Sequence, residues 1–402
     1  MRILSLAVLG MYLNILSAFS QSAADSSQFK GRKLQLEEVD FVSGYYHQDG
    51  SNSAVTGGIG TEKLTDFTNT IELKMIQYDK KERKNQFKIE LGIDHYTSAS
   101  SDKIDPSTIS SASMDDTRVY PSLSWNREHE KKGTNFGIAA SYSREADYIS
   151  YGTSLNFSKT SPDKNREFDI NLQAFFDTWK VIYPVELRPP HYGTGANNDK
   201  LAINRTPRNS FTASLSYSQV INKKLHISFL ADPTYQQGLL ATKYHRVYFT
   251  NGSVQPENLP DKKFKLPLGL RANYFLGDQV ILRSLYRFYI DDWGLKAHTL
   301  EMETPVKLSS SISISPFYRF HVQNAVDYFA PFSKNNSNQA YYTSDYDLSA
   351  LNSHFFGAGL RISPPKGIFG SPHWNLLEIR YGHYSRSTGL QSDIISLHFK
   401  FK

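Results

Sequence analysis

From about Glu38 to its last residue, the sequence alternates apolar and polar side chains at period two, in runs of about 9–12 residues. The C-terminal run is the clearest: Ile395, Leu397, Phe399 and Phe401 alternate with Ser396, His398, Lys400 and Lys402. Phe87, Ile89, Leu91 and Ile93 stand against Lys88, Glu90, Gly92 and Asp94. Phe211, Ala213, Leu215 and Tyr217 stand against Thr212, Ser214, Ser216 and Ser218, and the run at 148–158 repeats the pattern. Successive side chains of a strand point to opposite faces, so each run has one apolar and one polar face. A helix would need apolar residues at i, i+3 and i+4, and no long segment supplies them. After the first twenty residues no apolar run approaches the roughly 18 residues of a helical membrane span, which excludes a polytopic helical transporter.

The connections between runs fall into two alternating classes. One is mostly short and charged: 79–86, 129–135, 160–167, 221–224, 276–279, 305–311 and the longer 364–373. The other holds long stretches rich in Gly, Asn, Ser, Pro and Tyr at 47–63, 97–116, 180–209, 237–263 and 324–353, with short members near 145–147, 291–295 and 385–392. Short turns at one end and long loops at the other are the layout of an outer-membrane β-barrel. The fold class expected is therefore all-β: a transmembrane antiparallel barrel of about 16 strands with both termini periplasmic. A soluble sandwich or propeller also alternates, but no repeat of blade length is present. Pro121, Pro233, Pro267 and Pro316 fall inside predicted strands and are expected to mark strand ends or bulges.

Ahead of the barrel, Met1-Arg2 is followed by an apolar stretch from Ile3 to Ile15 and by the small-residue site Ala18-Phe19-Ser20, the pattern of a cleaved signal peptide. The expected organisation is a signal peptide at 1–20, a short periplasmic tail at 21–37 and a single barrel at 38–402, located in the outer membrane. There are no cysteines, which excludes a disulfide scaffold, a thiolate metal site and a lipidated N-terminal cysteine. The 25 Tyr, 25 Phe and 4 Trp suit a barrel's wide amphipathic surface.

Three stretches carry a family resemblance: TGGIGTEKLTD at Thr56–Asp66, SASSDKIDP at Ser98–Pro106 and YRFYIDDWGLKAHTLE at Tyr286–Glu301. In them the chain resembles an outer-membrane β-barrel family of Bacteroidota-type bacteria known only as a domain of unknown function (thirty-five-seventy). The resemblance implies an outer-membrane location and brings no catalytic residues. It also implies a genetic neighbourhood with a flavin transferase, a small lipoprotein and a thioredoxin-like protein, and so a redox or flavin-linked envelope system. No heme or flavin attachment motif is present, and no bound cofactor is expected.

Period two also lists the lumen. In the C-terminal half a basic wall of Arg271, Arg283, Arg287, Arg319, Arg361 and Arg380 faces inward, with His321, His398 and Lys400, and among them Asp291, Glu301, Glu303 and Glu378. The N-terminal half offers an opposing acidic set, Glu90, Asp94, Asp169, Asp177 and Asp232, with Asp66 and Glu72, and with Lys74, Lys88 and Arg118 beside them. Two such walls give a transverse field that orients polar solutes, unless the charges pair and plug the interior. Asp291-Asp292-Trp293-Gly294 reads as a tight hairpin with Trp293 at the membrane interface. His298 and Glu301, three apart on a strand, face opposite sides and cannot share an ion, so neither a metal site nor an active site is expected there. Phosphate loops, HExxH and GxSxG are absent, and no enzymatic role is expected. The net charge of +6 is spread over turns and lumen, so no nucleic-acid partner is expected.

Two functions fit this pattern. One is a channel or transport-type barrel for small polar solutes, anions among them. The other is a non-conducting sheath or docking platform for a lipoprotein or periplasmic redox partner. The loop alternation predicts the topology test: cysteines placed at Ser337 and Asn197 react with an impermeant maleimide on whole cells, and one at Lys132 does not. Labelling at Lys132 with none at Ser337 contradicts the barrel's orientation.

Overall fold

The computed structural model describes residues 32–97, 115–188 and 205–402. The signal peptide, most of the expected tail, the Ser98–Pro106 motif and Asn197 lie outside the described residues. The strands are β1 (Gln35–Asp49), β2 (Leu64–Tyr78), β3 (Lys84–Thr97), β4 (Asp115–His129), β5 (Thr134–Arg144), β6 (Tyr148–Thr160), β7 (Arg166–Lys180) and β8 (Arg205–Asn222). There follow β9 (Leu225–Ala231 with Thr234–Gly238), β10 (Lys262–Leu276), β11 (Val280–Asp291) and β12 (Lys296–Glu303 with Val306–Lys307). The ring ends with β13 (Ile312–Gln323), β14 (Leu351–Ile362), β15 (Trp374–Arg386) and β16 (Gln391–Phe401). Each strand pairs antiparallel with its sequence neighbours, and β16 pairs back onto β1 from Val39↔Phe401 to Asp49↔Gln391. This is a closed sixteen-stranded antiparallel barrel, with the first strand starting at Gln35, three residues ahead of the sequence boundary.

Alternation sorts the side chains as the pleat requires. Leu123, Phe136, Ile138, Tyr151, Leu155, Phe168, Leu172, Phe229, Leu268, Tyr286, Leu300, Phe356, Ile379 and Ile395 are all exposed, and all stand on the outer face. A soluble protein does not display so continuous an apolar belt; a lipid-facing barrel must.

The prolines correct the sequence expectation in part. Pro233 does break β9, but Pro121, Pro267 and Pro316 sit inside continuous strands without a register shift. Each of the latter two lies opposite a break in the neighbouring strand that holds a proline of its own, Pro233 or Pro305. The carbonyl of Pro267 accepts from Asp232 N–H, and that of Pro316 accepts from Thr304 N–H, but neither proline returns a donor. Those are the two places where β9 and β12 are interrupted. The register shifts that do occur lie at Leu36/Glu38, Val220/Asn222 and Trp374/Leu376, near the turn end.

The last strand gives a direct test of register. Leu397 faces outward, paired with Ile379 and Ser43, while Ser396 faces inward opposite Arg380. Leu397→Arg places a charge on the lipid face and costs about 2–4 kcal/mol at mid-depth, less toward the interface. It should lower the yield of heat-modifiable, folded barrel well below that of Ser396→Arg; equal yields contradict the register.

Candidate functional site

Cross-strand register places Arg271, Arg283, Arg287, Arg319, Arg361 and Arg380 on one face of β10–β15, the face opposite the apolar belt. Arg271 stands opposite Leu285, between Arg283 and Arg287, so three guanidinium groups cluster on two adjacent strands. Their pairing is uneven. Arg283 binds Glu303 at 2.9 Å, and Arg380 binds Glu303 at 2.9 Å and Glu378 at 3.4 Å. Arg380 also lies 5.1 Å over the Phe317 ring, and Arg319 lies 4.8 Å over Phe355. Among the described residues Arg271, Arg287, Arg319 and Arg361 make no ion pair, and Arg271, Arg287 and Arg361 are exposed although they point inward. An inward side chain that is exposed borders open space inside the barrel.

The acidic residues share the inner face, on strands up to half a ring away. Asp94 accepts from Tyr120 and Thr68 and lies 3.9 Å from Arg118, and Asp177 pairs with Arg208 at 3.2 Å. Asp169 accepts from Ser216, while Glu90 stands between Glu72 and Ser122 without an ion pair among the described residues. Asp232 lies at the β9 break, between inward Leu230 and Thr234. Of these five carboxylates only Asp94 and Asp177 have a cationic partner among the described residues, so charge of both signs is left on the inner wall beside the arginines of β10, β11, β13 and β14.

The long loops assemble into a second feature that the sequence did not reveal. The loop between β1 and β2 meets the loop between β9 and β10 where Arg246 Nη1 donates to the Val55 carbonyl at 3.0 Å. The same guanidinium binds both Glu186 oxygens, at 2.5 and 3.2 Å, from the loop after β7. β1 and β9 are eight strands apart in a ring of sixteen, so loops that touch from these positions must cross the mouth. A small hairpin (Arg246–Tyr248 with Val254–Pro256) forms the centre of this cap. Phe249 bridges to Asn335, Asn258 to Tyr342, and Phe329 to Thr343, which ties in the loop between β13 and β14.

The cap is the driest part of the protein. Val247 and Thr343 are wholly buried, and Asn335, Ser344 and Glu257 nearly so. Below them Ala241, Leu259, Trp293, Leu295, Ala297 and Val326 form an apolar core. Two of the family-like motifs build this unit. In TGGIG, Gly57 and Gly58 adopt φ of +83° and +89°; a Cβ at Gly57 would strike the Tyr248 ring, and one at Gly58 the Ser344 carbonyl. In DDWG, Trp293 is 4% exposed and its indole donates to the Lys262 carbonyl, with Lys263 4.0 Å over the ring. Trp293 is therefore a core residue of the cap, not a membrane-interface anchor, because the flanking long loops fold over its hairpin. Asp291 is a structural hub: its carboxylate binds Lys263 at 2.8 Å and accepts from Tyr289 and from the Trp293 and Leu295 amides. His298 faces outward, in hydrogen-bond contact with Tyr286.

Where the hairpin loop meets the β13–β14 loop, His245, Glu257 and Asp345 converge, their ligand atoms all within 4.8 Å of one another. Burial pushes the Glu257 carboxyl up, but His245 beside it, the Thr343 hydroxyl and the Thr242 amide outweigh this and hold it below the usual range. Burial pulls His245 down, and the Glu257 carboxylate more than reverses that. Burial and the nearby Asp347 carboxylate push Asp345 up to about 7. These residues lie far apart in sequence, in loops without periodicity, so no local signal marked them.

Arg246 holds three loops at once, so its loss should loosen the cap. Hydrogen bonds to charged groups contribute about 1.5–3 kcal/mol, and half-exposed Glu186 favours the lower figure. Tryptic cleavage after Lys243 in Arg246→Ala should then accelerate about tenfold, since cleavage follows the open population. A wild-type rate contradicts the role given to Arg246.

Comparison with curated proteins finds no match. Among solved structures the barrel is similar to OccD3 (OpdP) of Pseudomonas aeruginosa, at 7% identity and TM-score 0.45 over 94% of this chain and 95% of that one. It is also similar to a BenF-like porin from Pseudomonas fluorescens Pf-5, at 7% identity and TM-score 0.42 over 94% and 100%. A bacterial polysaccharide outer membrane secretin aligns at 10% identity and TM-score 0.42 over 91% and 98%. Likeness this distant, to barrels of differing roles, carries no functional argument. The sequence itself does place the chain: residues 95–376, more than half of its length, match the family described as Protein of unknown function (DUF3570), and the protein belongs to that family.

Proposed function

We propose that this protein is an outer-membrane channel for small polar solutes, biased toward anions, whose long-loop mouth is outermost and regulated by the folded cap. The observation that carries this reading is the set of inward-facing, water-exposed arginines, Arg271, Arg287 and Arg361, that have no acidic partner among the described residues. A barrel plugged by its own charges would pair and bury them. An unpaired guanidinium cluster on a water-filled wall raises the local concentration of anions, an effect that weakens as salt screens it. The proposed route is an N-terminal signal peptide for export, then insertion with both termini on the periplasmic side.

A second reading rests on the turn end. A cavity of about 640 Å³ opens there, lined by Lys84, Lys131, Lys132 and Lys164 together with Glu128, Glu130 and Glu167. A mixed-charge hollow of this size suits a small lipoprotein or periplasmic redox partner, and it makes the barrel a docking platform rather than a pore.

Bilayer recording under a salt gradient separates the two. The channel reading expects anion preference in the wild type and a reversal potential moved toward cations in the Arg271→Glu, Arg287→Glu, Arg361→Glu triple variant. If conductance is absent from both the wild type and cap-loosened Arg246→Ala at all voltages, the channel reading fails and the platform remains. If current flows with unchanged selectivity, the pore stands but the arginines do not set its preference.

A further inference from the structure

The cap holds a constellation that neither the barrel nor a conduction path requires. His245 Nδ1 is buried and has no hydrogen-bond partner. It is aimed at Glu257 Oε1, 3.8 Å away. That separation is too long for a hydrogen bond, which closes by about 3.2 Å. It does suit two ligands of one ion: with metal–ligand distances of about 2.0–2.2 Å, neighbouring and opposite donor atoms lie about 3–4.2 Å apart. Asp345 brings a carboxylate oxygen to the same point, all three donor atoms lying within 4.8 Å of one another.

The surroundings are those of ligands held in place. The Thr343 hydroxyl donates to Glu257 Oε1 at 2.5 Å and the Thr242 amide donates to Glu257 Oε2 at 2.7 Å, each leaving a lone pair. Thr343 also accepts from the Asp345 amide, so one wholly buried threonine fixes both carboxylate-bearing residues. Such outer contacts orient metal ligands. The Glu257 side chain is 3% exposed and that of His245 15%. Two carboxylates converge there on one imidazole, so a protonated His245 would offset at most one of the two charges, whereas a divalent ion offsets both.

We propose that His245 Nδ1, Glu257 and Asp345 are the protein ligands of a divalent transition ion, Zn²⁺ or a close relative, that clamps the hairpin loop to the β13–β14 loop. One nitrogen and two carboxylate oxygens select this class; Ca²⁺ asks for 6–8 oxygens, which the site does not offer. Water completes the coordination. Because the ion ties two loops of the cap to each other, it sets how firmly the cap is held together. The site stands whether or not the barrel conducts, since its signature is binding.

The test uses the full-length protein refolded in nanodiscs and stripped with chelator. Calorimetry with Zn²⁺ should give one ion per chain, with Ca²⁺ giving no matching event. His245→Ala and Asp345→Asn should each weaken Zn²⁺ binding by at least about tenfold, in preparations whose heat-modifiability shows a folded barrel. In the wild type, Zn²⁺ should protect His245 from diethylpyrocarbonate, read by peptide mass spectrometry, so the result does not depend on a variant folding. No stoichiometric Zn²⁺ binding, or unchanged binding in His245→Ala, or His245 modified equally with and without Zn²⁺, overturns the proposal. Protection lost in Asp345→Asn while the barrel stays folded supports it.

Discussion

Inside a bilayer no water is available to pair backbone N–H and C=O groups, and everything in this structure follows from satisfying them internally. The eleven register pairs between β1 and β16 do this at the last open edge. The seam is reinforced on its inner face, where Asp40 contacts His398 at 2.6 Å and Lys400 at 3.6 Å, and Glu38 contacts Lys400 at 2.9 Å. Once the ring is closed, period two decides which side chains see lipid and which see the interior. The same closure fixes where the loops emerge, and therefore which of them can meet.

A barrel of this kind has an unusual division of labour. Its apolar side chains mostly face outward, so the wall contributes little dry core. The buried side chains gather instead in the loops, around Val247, Thr343 and Trp293. Arg246 and Glu186, sixty residues apart in sequence, join loops that leave different parts of the ring. Below this cap the charge of the inner wall is only partly cancelled: Glu303 takes up Arg283 and Arg380, while Arg271, Arg287 and Arg361 are exposed without an ion pair among the described residues. The result is a folded cap over an inner wall that carries unpaired arginines.

The barrel was legible in the sequence because strands are local and periodic. The residues from Ile395 to Phe401 announce their face without any knowledge of their partners, and the alternation of short and long connections gives the strand count. Proline positions were only half legible. Pro267 and Pro316 leave their own strands continuous and lie opposite the breaks in β9 and β12 that hold Pro233 and Pro305, and which strand lies opposite is a tertiary fact. Trp293 was misjudged for a similar reason: a Trp in a tight hairpin suits a membrane interface until longer loops fold over it. His245, Glu257 and Asp345 were invisible, since they lie in aperiodic loops and meet only when those loops cross. The glycines of TGGIG and Trp293 of DDWG sit at the cap's contacts, but nothing in those motifs alone marks a cap.

The central claim is that the long loops form one folded unit across the mouth. Hydrogen–deuterium exchange of the barrel in nanodiscs tests it directly. Peptides covering 239–261 and 324–350 should exchange nearly as slowly as the strands, because their amides are paired and buried in the cap. If those peptides instead exchange at the rate of exposed loops while the strands remain protected, the loops do not form a stable cap, and the account of a lidded barrel is wrong.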